Sequence, residues 1–171
     1  NHNKEMLFKF NDLKFQGSFL ALRIEGDKLS IEERIKVLTM ELELQNLNTS
    51  ILDVHQSVPL WKKINSLELF GNTKNNLLRA VIPPSKGNEL IQKIGNKFKY
   101  YIDWCGSLYW IEVQSNKNSK ITEIKKLIIE LGGYLTIVKK SNEFDYEETT
   151  FTVDETRLLI SEKIKKSFDP K

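Results

Sequence analysis

Between residues 77 and 140 the hydrophobic period of the sequence changes in a regular order, which leaves few possible folds. Alternating, strand-type segments enclose two segments with helical spacing, and Cys105-Gly106 separates the middle two strands as a turn. The order strand, helix, strand, strand, helix, strand is that of the ferredoxin-like split βαβ motif. The predicted strands are 77–82, 97–104, 107–113 and 134–140, and the predicted helices are 85–94, 119–131 and, after an acidic loop, 154–166.

A second unit is predicted before this region. Residues 18–25 alternate as a strand, a helix with a capping box follows from Ser30 to about residue 46, and residues 50–54 have the composition of a short strand. The predicted fold class is therefore α+β. A ferredoxin-like sheet is extended by an N-terminal βαβ unit into one mainly antiparallel sheet, with helices mostly on one face. Residues 1–17 are predicted to be an N-terminal arm, and residues 18–171 a single domain.

The charge and composition of the 171 residues exclude several classes of function. The 26 basic residues are interleaved with 23 acidic ones, so we expect no nucleic-acid partner. No apolar run approaches the roughly 20 residues of a membrane-spanning helix, so no transmembrane segment is predicted. One cysteine and two histidines exclude an internal disulfide, a thiolate zinc cluster and a histidine-rich metal site. No secretory signal is seen, and a reducing, cytoplasmic location is expected.

The densest run of aromatic residues lies at 100–110, around the predicted hairpin turn. Such a hairpin fills a core, or its tip faces a ligand or a partner. Strand alternation places aromatic side chains on both faces of the hairpin. It groups Phe98, Tyr100, Trp104 and Trp110 on one set of positions, and Tyr101 and Tyr109 on the other. Loops and the N-terminal arm could cover the second face, or it could be a docking surface.

Two arginines, Arg23 and Arg79, lie inside predicted strands and are flanked by apolar residues. Because an unpaired buried charge is costly, each needs a carboxylate partner or an open face. One interpretation is an ion pair with Asp53, Asp103 or Glu112. The other is capture of a substrate carboxylate, which suits the bidentate geometry of a guanidinium group.

Five short motifs occur in an order that resembles the C-terminal cap domain of FAD-linked oxidases of the vanillyl-alcohol oxidase type. Within that family the similarity is closest to the E subunit of bacterial glycolate oxidase, and it covers residues 18–170. The D-subunit type of cap has a His-x-Gly-Asp-Gly motif, which this sequence lacks. The five motifs are Leu-Arg-Ile-Glu-Gly at 22–26, Leu-Trp-Lys-Lys-Ile at 60–64, Leu-Arg-Ala-Val-Ile-Pro-Pro at 78–84, Tyr-Ile-Asp-Trp-Cys-Gly-Ser-Leu-Tyr-Trp at 101–110 and Ile-Lys-Lys-Ser-Phe-Asp-Pro at 164–170.

The resemblance implies a ferredoxin-like sheet that covers the reactive ring of a flavin and helps to form the pocket for a small 2-hydroxy acid. The FAD would be held mainly by a separate flavin-binding domain, and partners would be that domain or other glycolate oxidase subunits. The sequence has no glycine-rich phosphate loop, so no FAD is expected in the isolated chain, which is predicted to be inactive. The family pattern has a glycine where Cys105 stands here.

The sequence thus predicts a substrate-side cap of an FAD-dependent, glycolate-type oxidoreductase, with no catalytic or metal-binding residue of its own. As part of a complex it could also be membrane-peripheral. The alternative is a stand-alone ferredoxin-like module that binds a ligand or another protein, and a homo-oligomer could form through the exposed sheet face. The residues predicted to bind substrate are Arg79, Tyr101, Asp103, Trp104 and Trp110.

Overall fold

The structure is a computed structural model in which the chain divides into two units, residues 1–71 and 72–171. Each unit is described by itself. The division falls inside the span 18–171, and the single domain predicted there stays a prediction. The structure describes residues 8–10, 13–15, 20–47, 49–71, 73–144, 150–152 and 155–169.

The first unit contains a short pair of strands and two helices. Strand β1 (Phe8–Phe10) pairs antiparallel with β2 (Leu13–Phe15), within the segment predicted as an N-terminal arm. Helix α1 spans Lys28–Leu44 and helix α2 spans Val54–Asn65. Aspartates cap both helices, since Asp27 accepts a hydrogen bond from the Ser30 amide and Asp53 forms a capping box with Gln56.

The predicted N-terminal βαβ extension of the sheet is wrong. Residues 20–25 and 50–53 belong to no strand, and residue 54 already begins α2. Residues 18 and 19 of the first predicted strand lie outside the described residues. An alternating pattern forms a strand only where a neighbouring strand accepts its hydrogen bonds, and the described part of 20–25 has no such neighbour. Leu20 is accordingly 75% exposed.

The second unit has the predicted alternation of strands and helices. Its four strands form one antiparallel sheet in the order β4-β5-β3-β6, which confirms the four predicted antiparallel strands. Residues 150–152 lie beside β6, where Phe151 forms a bridge with Thr136. The elements are β3 (Asn76–Val81), α3 (Gly87–Ile94), β4 (Lys99–Asp103), β5 (Leu108–Val113), α4 (Asn118–Glu130), β6 (Tyr134–Lys139) and α5 (Glu155–Phe168).

One face of this sheet and two helices form the core of the second unit. Strand residues such as Leu78 and Ile111 are fully buried with Leu90 of α3 and with Ile121 and Ile128 of α4. Because both helices contribute to a single cluster with the same strand positions, they cover the same face of the sheet. The alternate strand positions point to the other face, named here the open face.

Candidate functional site

A row of side chains crosses the open face from one edge of the sheet to the other. Tyr101 on β4 lies opposite Trp110 on β5, which lies opposite Arg79 on β3. Arg79 in turn lies opposite Thr136 on β6, and Thr136 lies opposite Phe151. Directly opposite residues of antiparallel strands share a face, so the five side chains form one continuous surface.

The turn between β4 and β5 has an unusual backbone. Trp104, Cys105 and Gly106 all have positive φ, at 50, 51 and 91°. Only glycine adopts this left-handed region without a steric cost. The Asp103 carboxylate accepts a hydrogen bond from the Trp104 amide at 2.8 Å and so holds the start of the turn.

The turn brings the Trp104 ring to the guanidinium of Arg79, with 5.0 Å between the Arg79 Cζ and the ring centroid. This is a cation–π contact, and the indole remains 56% exposed. The structure therefore brings together four of the predicted substrate-binding residues, and Asp103 follows Tyr101 two positions later on the same face. That these residues bind a small 2-hydroxy acid stays a prediction.

The predicted grouping of the hairpin aromatics is wrong. Trp110 shares the open face with Tyr101, and their rings stack with centroids 6.4 Å apart. Tyr109 is buried in the core instead, with Tyr100 packed against the same cluster. The pairing of Ile102 with Tyr109 and of Asp103 with Leu108 sets this register, since four residues form the turn.

The ion pair that was one interpretation of Arg79 does not form with Asp103 or Glu112. Asp103 bonds to the Trp104 amide, and Glu112 accepts a hydrogen bond from the Asn75 side chain at 3.0 Å. Among the described residues of the second unit, no carboxylate forms an ion pair with Arg79. Arg23 differs, because it forms an ion pair with Glu25 and also lies over the Trp61 ring.

Burial raises the pKa of Tyr101, which is separated from Arg79 by Trp110 in the open-face row. Desolvation, together with the charge of Asp103, raises the pKa of Tyr101 to about 12, and a hydrogen bond with Trp110 acts in the opposite direction. Burial likewise raises the pKa of Tyr109, with a smaller contribution from Tyr100. Tyr101 is therefore a neutral hydroxyl at physiological pH and can donate a hydrogen bond.

The surface combines a guanidinium donor, a phenol hydroxyl and two indole rings. A guanidinium can bind a carboxylate through two parallel hydrogen bonds, and the rings can pack against a flat ligand. Cys105 is an exposed thiol at the same turn. The described residues contain no group of three or more histidine, cysteine, aspartate or glutamate side chains that could hold a metal ion.

No helix in the described part of the chain is both long enough and apolar enough to cross a membrane.

Fold and site define an α+β protein whose four-stranded antiparallel sheet has one helix-covered face and one face with an arginine among aromatic rings. Comparisons with protein-family models, curated proteins and solved structures find no match to this chain.

Sequence reasoning missed two members of the row, Thr136 and Phe151. Both depend on which residues of β6 lie opposite β3, and this pairing has no local sequence signal. Phe151 follows the acidic loop predicted at 141–150, and its bridge to β6 places it on the open face.

Proposed function

We propose that the second unit is a ferredoxin-like cap whose open face forms the substrate-side wall of an FAD-dependent 2-hydroxy-acid oxidoreductase. Two observations support the ferredoxin-like assignment. The elements follow the order β-α-β-β-α-β, and the first and third strands of that series lie in the middle of the sheet. The similarity to the cap of glycolate-type oxidases supplies the substrate class.

Arg79 carries the functional part of the proposal. Its guanidinium lies on the open face, touches the Trp104 ring and has no carboxylate partner among the described residues of its unit. Because Arg79 lies on an open and partly exposed face, its guanidinium can stay there without a carboxylate partner and is available to the anion of a ligand. A small 2-hydroxy acid has a carboxylate of the right geometry for the two parallel hydrogen bonds of a guanidinium group.

The backbone of the turn gives independent support for the family assignment. Cys105 has φ 51° and ψ 39°, a conformation that glycine adopts at no steric cost. The cap family has glycine at this position. A shared left-handed turn would explain the glycine of the family, and this chain keeps the Asp-Trp approach to the turn while Cys105 carries a steric cost.

The open face could cover the ring of a flavin, but this chain would not hold the FAD itself. Trp110 and Tyr101 form a stacked pair that can pack against a planar ring. The sequence has no glycine-rich loop for a diphosphate, so a flavin-binding domain or another glycolate oxidase subunit would hold the cofactor. When bound there, the flavin would accept a hydride from the substrate α-carbon. The isolated chain would bind and orient the acid without oxidising it.

Glycolate binding to the isotope-labelled chain tests this proposal. We expect glycolate to shift the amide signals of β3 near Arg79 and those of the turn at 104–106. Glycolamide has nearly the same size and no charge, so it should leave these signals unchanged. Equal shifts with both compounds, or none with glycolate, would contradict carboxylate recognition.

A titration with FAD tests the cap assignment separately. The chain should show no tight, stoichiometric FAD binding, because it lacks a phosphate-cradling loop. Tight binding of FAD by this chain would overturn the assignment as a cap without its own flavin site.

The second candidate is a stand-alone module that docks a protein on the open face. The exposure of Trp104 and Phe151, 56% and 54%, favours it, because exposed aromatic side chains are common anchors in interfaces. A homo-oligomer through this face would be one form. Concentration-dependent sedimentation that Trp104→Ala abolishes would support docking, and a monomer that binds glycolate would support the cap.

A further inference from the structure

A second surface of the same unit forms a cleft of about 380 Å³ between the end of α3, the start of β4 and the start of α4. It is separate from the open-face row. Lys99 lines the cleft at the start of β4, and Tyr101, the member of the row on that strand, lies two positions later, about 7 Å along the strand. No residue of the row lines the cleft.

The walls of the cleft are rich in lysine. Two glutamates also line it, Glu112 and Glu123, so positive charge is in excess. A concave surface lined by one sign of charge concentrates its electric field and attracts ions of the opposite sign. The lining lysines are Lys93, Lys97, Lys99, Lys117 and Lys120.

The carboxylates near the cleft are already engaged. Both oxygens of Glu123 accept hydrogen bonds from Lys120, at 2.7 and 2.8 Å, and Glu112 binds the Asn75 amide. Lys93 pairs with Glu89 at 3.1 Å. Lys97 and Lys117 line the cleft and form no ion pair with any described residue. These two ammonium groups are therefore available to a ligand.

The N-terminus of α4 adds positive charge to the cleft and so favours the binding of an anion. Lys117 is the residue before the helix, its side chain makes no capping hydrogen bond, and the first turn carries no acidic residue. Lysines at the positive end of a 13-residue helix dipole are the unfavourable arrangement, which a bound anion would reverse.

The floor of the cleft is apolar. Ile94 and Ile124 belong to the buried core, and Phe98 and Leu127 are partly buried against it. A ligand with only a charged head would leave this floor uncovered. A ligand with an aromatic or aliphatic body would fill it and keep its charge among the lysines.

We propose that this cleft binds a phosphomonoester with an apolar body. A phosphate dianion suits several point-like ammonium groups, since its oxygens can accept hydrogen bonds from more than one lysine. The site rests on Lys97 and Lys117 and is independent of Arg79, so either proposed site can fail without the other.

The probe for this site is phenyl phosphate, added to the isotope-labelled full chain at low salt. We expect amide shifts confined to residues 97–99 and 117–120 and a loss of affinity with added salt. Inorganic phosphate tests the head alone and should bind at least fivefold more weakly. Phenol tests the body alone and should cause no shift at these residues. Absence of binding, shifts elsewhere, or equal affinity for inorganic phosphate would overturn the proposal.

Paired variants separate the cleft from general surface charge. The double variant Lys97→Gln/Lys117→Gln should bind phenyl phosphate at least fivefold more weakly than the parent. The control Lys163→Gln/Lys165→Gln removes the same charge from exposed positions of α5 and should change affinity less than twofold. A smaller loss in the cleft variant, or an equal loss in the control, would overturn the assignment. Arg79→Lys should leave phenyl phosphate affinity unchanged.

Discussion

The two faces of the four-stranded sheet are formed by the same strands. One face is covered by two helices, and the other face is open. On the helix-covered face, Leu78, Tyr109 and Ile111 are at most 1% exposed and pack against α3 and α4. On the open face, Arg79 and Trp110 alternate with these residues along the same strands and remain partly exposed. Side-chain alternation thus gives one strand two functions: one face stabilises the fold, and the other can bind a ligand.

The largest difference between the faces should appear in core truncation. Ile111→Ala removes a fully buried side chain and should lower the free energy of unfolding by about 2–5 kcal/mol. Trp104→Ala removes a larger side chain from the open face, yet it should cost only about 1 kcal/mol, chiefly the contact with Arg79. Urea unfolding of both variants measures this. A loss of about 3 kcal/mol or more for Trp104→Ala would place its ring in a core.

The next largest effect on stability is expected at Gly87, where the start of α3 lies close to the side chain of Tyr109. A Cβ on Gly87 would lie 2.6 Å from the Tyr109 hydroxyl oxygen and 3.9 Å from the ring carbon that bears it. Gly87→Ala should therefore destabilise the chain by about 1–3 kcal/mol through overpacking. Adding Tyr109→Phe removes the clashing oxygen and should recover most of the loss. A double-mutant cycle from thermal unfolding tests this, and additive losses would contradict it.

A smaller change in stability is expected from substitutions in the left-handed turn. Cys105→Gly relieves the steric cost of a side chain at φ 51° and should raise the free energy of unfolding by about 1 kcal/mol. Cys105→Ser keeps that cost and removes the thiol, so it should change stability little. A gain with serine equal to that with glycine would assign the effect to the thiol.

A further effect concerns the pH dependence of the open face. Folding raises the pKa of Tyr101 from 10.0 to about 12, so it favours the protonated phenol. The resulting contribution to stability is fully present below about pH 10 and is lost as the pH rises from 10 to 12. The phenolate absorbance difference between the parent and Tyr101→Phe should report this high pKa.

Replacing the neighbouring charge sharpens the same measurement. Asp103→Asn should lower the pKa of Tyr101, which should stay above 10.0 because burial is the larger cause. No change in the pKa after this substitution would contradict the contribution of Asp103.

Much of the second unit could be predicted from sequence, because its apolar periods match elements that pack on a core. The predicted helix at 119–131 is observed at 118–130, and the predicted strand at 107–113 is observed at 108–113. The first unit differs. Residues 20–25 have a strand-like alternation without a strand beside them, and periodicity cannot show whether a partner exists.

The residues of the open-face site could be predicted from the sequence. Their arrangement on the sheet could be predicted only in part. Arg79 and the hairpin aromatics stand out in sequence because a charge and large rings occur inside strands. The faces of Trp104 and Trp110 could not be assigned, because three consecutive left-handed residues interrupt the alternation at the turn. The lysine cleft joins residues of the segment 93–99 to residues of the segment 112–127, which the fold brings together, so no local pattern marks it.

The proposed function of the open face depends most on Arg79, which we expect to bind the carboxylate of the ligand. The direct test is the glycolate affinity of the parent and of Arg79→Lys, with Arg34→Lys on α1 as the matched control. We predict that Arg79→Lys binds glycolate about tenfold more weakly, because a point charge replaces a bidentate fork, while the fold and the control stay unchanged. Equal glycolate affinity for all three proteins would contradict the account.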